Sequence, residues 1–370
     1  MALAASRLRR PNARGDGPPV FSHEFIIQNH ADIVSCVCVV VFLGLLPQAT
    51  NSIASRFIFL QYNETMEIKE NDTGVASSRI DNKPAPVTFY RHGWGDALNV
   101  VFYSLIWIII HAIIQEYIWE RTVKRLRLSK TKTSKYLDSG SMLVFYGISL
   151  VMGVDHIMKG QYALNFGSEL WTGYPHTLMK LSLKFYMLTQ MAFWLHCYPE
   201  LYIMKTKKDD AYSKIVLYTV SFLIIFSAYV TYLQRLAVVL LVIHYIVEFV
   251  FNASCLLHYH GKDEIAKLSF KLWWFLFLLA RITSIILSVV TLWFGINEAN
   301  GPVLLFNINL TSVPVRMSIL LFIVSLQVWL LLVLYKHRRK GKSETTPTPA
   351  PPTKKPKPKP SPRSNKNKKE

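Results

Sequence analysis

The chain is short of charge, shorter still of acid, and nearly without cysteine. Charged residues fill 18% of its 370 positions, with 23 Asp and Glu against 42 Lys and Arg. So thin a polar supply excludes the fully water-exposed surface of a large soluble protein. The 4 cysteines, Cys36, Cys38, Cys197 and Cys255, lie inside or at the edge of apolar stretches. That placement excludes a secreted-type disulfide framework and reads as small buried hydrophobes. Cys-x-x-Cys spacing, a P-loop, a dinucleotide fingerprint and internal repeats are missing. No catalytic set, cofactor or metal is therefore expected. The first thirty residues hold no apolar h-region, so no cleavable leader is expected and the first apolar run should stay in the membrane.

Hydrophobe is what the chain has in quantity, at 51% of residues with 13% aromatic. Eight apolar runs stand out, each near the ~20 residues that cross about 30 Å of hydrocarbon. They are Ala31–Leu46, Ala97–Ile118, Met142–Met158, Leu181–Cys197, Ile215–Leu233, Leu236–His258, Leu272–Ile296 and Val313–Tyr335. The first, third and fourth are short or polar-tinged. Only Gln234-Arg235 separates the fifth from the sixth, which predicts a tight helical hairpin. Lipid cannot satisfy an open backbone, so the expected fold is all-α, a polytopic transmembrane bundle. The domains expected are a tail over 1–30, two spans over 31–118 with a lumenal loop 47–96, a six-span bundle over 119–335, and a tail over 336–370.

Charge sets the orientation. With the N-terminus in the cytosol, that side carries 31 Lys and Arg and the other side 8. The positive-inside rule then places both termini in the cytosol. Three Asn-x-Ser/Thr sequons, at Asn63, Asn71 and Asn309, fall on the lumenal side by the same count. The tail PTPTPAPPTKKPKPKPSPRSNKNKKE should be disordered. Its basic residues either fix topology or touch anionic lipid headgroups or RNA. Its last five residues, KNKKE, have the K-x-K-x-x form that returns membrane proteins to the endoplasmic reticulum.

Ionisable groups inside the apolar runs cost about 2.5–3.5 kcal/mol each at the bilayer centre. Asp32, Glu116, Lys184, His196 and Arg316 stand near span ends and are expected to snorkel outward. Glu248 and Arg281 stand roughly 15 Å deep on consecutive spans and are expected to pair. His244 precedes Glu248 by one helical turn. Such a pair could be two metal ligands, an acid–base couple or a structural hydrogen bond, and no third member follows on the same helix. His111, His244, Glu248 and Arg281 together read as an intramembrane polar seam.

Particular stretches carry a family likeness. They are SHEFIIQNHADIVSC (22–36), LQYNET (60–65), HAIIQEY (111–117), SKTKTSKYLDSG (129–140), FYMLTQMAFWLHCYPELYIMKTKKDD (185–210) and VLLVIHYIVEF (239–249). With these the chain resembles the translocating chain-associating membrane proteins of the endoplasmic reticulum. That superfamily also contains ceramide synthases, which carry a histidine pair, then a His-Asp and a second Asp. Here Ile225-Phe226 stand at the histidine pair, His244 is kept, Tyr245 replaces the first aspartate and Glu248 falls at the second. With that relay depleted, the resemblance implies a protein that is no enzyme. It implies a multi-pass accessory glycoprotein of the endoplasmic reticulum membrane, beside the protein-conducting channel, in SRP-dependent cotranslational targeting. Its expected partners are the channel, nascent polypeptides with their signal sequences, membrane lipids and, through the basic tail, the ribosome or anionic headgroups. The alternatives are a lipid-binding or lipid-moving protein and a ceramide-synthase-like N-acyltransferase.

Overall fold

The computed structural model describes residues 22–66, 87–162, 165–204, 208–298, 304–305 and 308–345. The Asn71 sequon and the tail beyond Thr345, with its terminal signal, lie outside them. Helices dominate. Ser22 caps α1 (His23–Gln28), its Oγ accepting from Phe25 N at 3.2 Å. Next come α2 (His30–Leu43) and α3 (Gln48–Ile58). Pro47 precedes α3, and Thr50 and Asn51 in its first turn donate to the carbonyls of Gly44 (2.7 Å) and Leu45 (2.6 Å). Those carbonyls follow the end of α2, so the short linker is sealed by side chains of the next helix.

Within the expected lumenal loop 47–96 the described residues form regular structure. Besides α3 it supplies β1 (Asn63–Met66) and β2 (Val87–Tyr90), which pair antiparallel from Asn63↔Tyr90 to Met66↔Val87. A third strand, β3 (Met179–Lys180), joins through Phe89↔Lys180 and Tyr90↔Met179. A segment read as loop is thereby stitched to the start of a distant helix, and alternation of apolar residues was too brief to announce it.

The remaining helices are α4 (Asp96–Ile114), α5 (Glu120–Leu126), α6 (Lys130–Lys159), α7 (Leu181–Ile203), α8 (Lys208–Val230), α9 (Gln234–Tyr259), α10 (Asp263–Val289) and α11 (Val313–Thr345). π-helical turns at Gln115–Trp119 and Val290–Phe294 follow α4 and α10. Among the described residues, six helices are long and apolar enough to cross a membrane: Asp96–Leu126, Lys130–Lys159, Asp210–Val230, Gln234–Tyr259, Asp263–Phe294 and Val313–Tyr335. The other two expected spans are also helices. At 14 residues, α2 rises only about 21 Å. The fourth, α7, is long enough but is buried among its neighbours along most of its length. The hairpin expected at Gln234-Arg235 turns three residues earlier, at Thr231–Leu233 with Tyr232 in the left-handed region (φ 61°), and Gln234 opens α9.

Up to Leu321 the chain forms one compact unit. In it α7 packs against α4 and α8, while α9 packs against α6 and α10. Aromatic residues join the two groups: Phe145 of α6 stacks on Phe193 of α7 at 3.4 Å between centroids, and Trp107, Tyr146, Trp194 and Tyr245 close around them. A close approach here depends on Gly153 of α6. A Cβ at that position would sit 2.4 Å from Val242 Cγ2 of α9, inside any permitted contact.

Candidate functional site

Four polar groupings interrupt this apolar interior. At the N-terminal ends of α4 and α7, Lys184 is fully buried and its Nζ lies 2.7 Å from Asp96 Oδ1. Its other protons go to the carbonyls of Gln61 (2.8 Å) and Arg91 (2.6 Å), and the rings of Tyr62 and Tyr90 flank it. Asp96 Oδ2 accepts from Gly93 N (2.9 Å) and from Tyr229 Oη of α8 (2.8 Å). Every ammonium proton therefore has an acceptor, the condition under which a buried ion pair is tolerated. The expected snorkelling of Lys184 does not occur, because both stems of the loop 47–96 fold over it and supply carbonyls. His196 and Arg316 are likewise buried rather than turned outward. Arg316 Nη1 reaches the carbonyls of Leu292 and Trp293, inside the π-helical turn. Wider turns leave carbonyls free for such donors. Beside the same end, the imidazole of His176 is buried with Nε2 3.1 Å from Leu170 O. Burial, aided by the positive charge of Arg235, holds its pKa down to about 4.

Midway along the bundle, Gln190 of α7 joins two helices. Tyr245 Oη donates to its Oε1 at 2.9 Å, and its Nε2 donates to Ser149 Oγ at 2.9 Å. All three are buried. Tyr245, where the resemblance to ceramide synthases implies an aspartate, thus carries a phenol committed to a structural bond, and Ile225 is a packed core residue.

The third grouping lies at the C-terminal ends of α4 and α7. His111 Nδ1 faces His196 Nε2 at 3.3 Å, and His111 Nε2 is 3.1 Å from Ser141 Oγ of α6. Nδ1 of His196 meets the carbonyl of Phe193. Glu200 Oε1 stands 3.9 Å from His111 Nε2, and Lys214 pairs with Asp138 at 2.8 Å. These side chains line a cavity of about 30 Å³, walled by Met142, Phe193 and Tyr218.

The fourth grouping lies between α9 and α10. Arg281 Nη2 is 3.2 Å from His244 Nδ1. Glu248, one turn after His244, is close enough for its charge to act on Arg281. Of the four residues read as a seam, the structure joins His244 to Arg281 with Glu248 beside them, and places His111 in the separate third grouping. Among the described residues no set of three or more His, Cys, Asp or Glu is arranged to hold a metal ion. Of the sequons, Asn63 is exposed on β1, and Asn309, on a two-residue strand paired with Leu304–Leu305, accepts from Thr311 N (3.1 Å) and Oγ1 (2.7 Å).

The sequence reading missed Lys184–Asp96, Gln190 and Glu200. Asp96 opening an apolar run and Lys184 three residues into another were visible, but their pairing spans 88 positions and leaves no local signal.

Comparison with known proteins matches the family model of the TLC domain over residues 135–336. Translocating chain-associated membrane protein 2 of Mus musculus is 34% identical over 316 residues, covering 85% of this chain and 80% of the relative. The Homo sapiens protein of that name is 33% identical over 317 residues, with the same coverage of each. A ceramide synthase of Gibberella moniliformis is 23% identical over 249 residues, covering 67% of this chain and 52% of the relative. With the domain spanning more than half its length and relatives above 30% identity aligned over 85% of it, the chain belongs to the family of translocating chain-associated membrane proteins.

Proposed function

We propose that this chain is an accessory protein of the translocation machinery of the endoplasmic reticulum membrane, one that eases signal sequences and transmembrane segments into lipid. The observation that carries the reading is the alignment with translocating chain-associated membrane proteins over 85% of the chain. The channel, nascent chains and surrounding lipids are the partners this reading requires, with headgroups or the ribosome meeting the basic tail. Both termini lie in the cytosol and the chain crosses eight times, a topology that the 31-to-8 split of basic residues supports. Glycans at Asn63, Asn71 and Asn309 suit the same orientation.

Physically, α2 supplies about 21 Å of rise where hydrocarbon needs about 30 Å. Bilayer deformation around it costs fractions of a kcal/mol per Å of mismatch. A nascent segment too polar for bulk lipid meets a thinner barrier there, with His244, Glu248 and Arg281 offering polar contacts at depth. The engagement of Tyr245 with Gln190 and the core packing of Ile225 support a role without acyl transfer. Vesicles reconstituted with and without the protein, given segments of graded hydrophobicity, test the reading. Weakly apolar segments should gain insertion while strongly apolar ones do not, and an equal response of both would reject it.

A further inference from the structure

The rod made of α4, its π-helical turn and α5 ends in a face whose chemistry changes with depth. Ile113, Tyr117 and Arg121 follow at four-residue intervals. The guanidinium of Arg121 lies over the Tyr117 ring, 5.6 Å from its centroid, which holds the two on one side across the π-helical turn. Ile113 is 51% exposed, Tyr117 57% and Ile118 50%. In a bilayer they meet acyl chains and, at Tyr117, the interface. Arg121 stands three residues past Ile118, where the apolar run ends. That is about 5 Å farther out, the depth of the headgroup layer. Lys124 and Arg125 carry the face on by another turn, and both are exposed.

The next helix adds charge of the same sign. Trp119 packs on Tyr136 of α6, ring centroids 5.9 Å apart, and a Cβ at Gly140 would lie 2.7 Å from its indole. The first turns of α6 therefore run beside this end of the rod, and Lys130, Lys132 and Lys135 on them are exposed. Carboxylates do not balance the group. Glu120 meets Lys124 at 3.6 Å, and Asp138 is taken by Lys214. Among the described residues Arg121, Arg125 and the three lysines of α6 face no acid. Unbalanced positive charge at headgroup depth, above an exposed aliphatic and aromatic face, has the outline of a phospholipid with a negative headgroup. A nucleic acid would use the charge and leave Ile113 and Ile118 without a role.

We propose that this face holds an anionic phospholipid, with a chain along Ile113, the glycerol at Tyr117 and the phosphate among Arg121, Lys124 and Arg125. The site is independent of the translocation role. In the orientation proposed above it faces the cytosolic leaflet, where phosphatidylserine and phosphatidylinositol are found.

Photocrosslinking of the full-length protein tests it. A benzophenone amino acid is placed at Ile113 or, as a control, at Ile282 on the exposed face of α10. Vesicles of phosphatidylcholine carry a small fraction of radiolabelled phosphatidylinositol, phosphatidylserine or phosphatidylethanolamine. The two anionic lipids should label the Ile113 position about 25-fold more than phosphatidylethanolamine, the product of two near-surface basic side chains at about fivefold each. The Ile282 position should show no preference. Arg121→Gln with Arg125→Gln should erase the preference and leave the melting temperature in place, while Arg121→Lys with Arg125→Lys should keep most of it. Equal labelling of the Ile113 position by charged and zwitterionic lipids would overturn the proposal. So would an equal anionic preference at Ile282, or one that survives the double glutamine variant. Displacement by soluble glycerophosphoinositol at the same concentration would show that phosphate alone is recognised and overturn the assignment to a lipid. Displacement by an oligoribonucleotide would overturn it in favour of nucleic acid.

Discussion

Two buried polar clusters bridge α4 and α7 from opposite ends, and they are built on opposite principles. At the N-terminal ends, Lys184 and Asp96 have a partner for every proton and lone pair that matters. At the C-terminal ends, the Ser141 hydroxyl, His111, His196 and the carbonyl of Phe193 form a hydrogen-bonded relay, with Glu200 beside it on a cavity that Lys214 also lines. The first arrangement is what a fold needs when it buries charge for its own sake. The second links a hydroxyl, two imidazoles and a carbonyl, and the Glu200 carboxylate beside it shares a cavity wall with the Lys214 ammonium.

The largest expected effect falls on the saturated end. Lys184→Met leaves Asp96 buried against two donors with no counter-charge, and should cost about 3–5 kcal/mol. Thermal unfolding of the detergent-purified protein reads this, and Asp96→Asn in the same chain should restore part of the loss. If Lys184→Met melts no earlier than Glu200→Gln, the contrast between the two ends collapses. Acid should weaken the same end. His176 has a pKa held near 4 in the folded chain against an ordinary value near 6.5. The unfolded state therefore binds the proton first, and stability present above pH 6.5 is lost as pH falls toward 4. The change amounts to roughly 3 kcal/mol over that window. His176→Gln should flatten the dependence, measured as unfolding midpoints across the window.

The spans were legible because apolar runs near twenty residues admit few other readings, and Asp96–Leu126 or Gln234–Tyr259 needed only adjustment at the ends. The contents of the clusters were not. Lys184 has the sequence context of a snorkelling residue, and what buries it is carbonyls of Gln61 and Arg91, from a segment whose composition says loop. His244 and Glu248 share a helical face, and the neighbouring helix supplies Arg281, which donates to His244. Spacing along a helix reports which residues share a face; it carries no account of which neighbour supplies the proton. His111, read into the same seam, has its partners on α6 and α7 instead.

Between the two ends lies the Tyr245–Gln190–Ser149 chain, made of neutral groups alone. Tyr245→Phe removes a neutral bond and leaves Gln190 Oε1 with only the longer contact from Ser149 Oγ, at 3.3 Å. It should cost about 1–3 kcal/mol in the melting curve, less than Lys184→Met because no charge is stranded.

The smallest stability effect should come from Glu200→Gln, and the smallness is the informative part. A residue that contributes to the fold loses stability when its charge is removed. Glu200 stands 3.9 Å from His111 Nε2, which already accepts from the Ser141 hydroxyl, so the change should lie within about 0.5 kcal/mol of zero. The matched variant at the other end, Asp96→Asn, should instead weaken the fold, since Lys184 then has a buried charge and no carboxylate. Melting temperatures of the two variants, taken side by side, ask of two acidic residues on either end of one helix pair which carboxylate holds the fold together. A loss at Glu200 equal to the loss at Asp96 would show that both serve the fold.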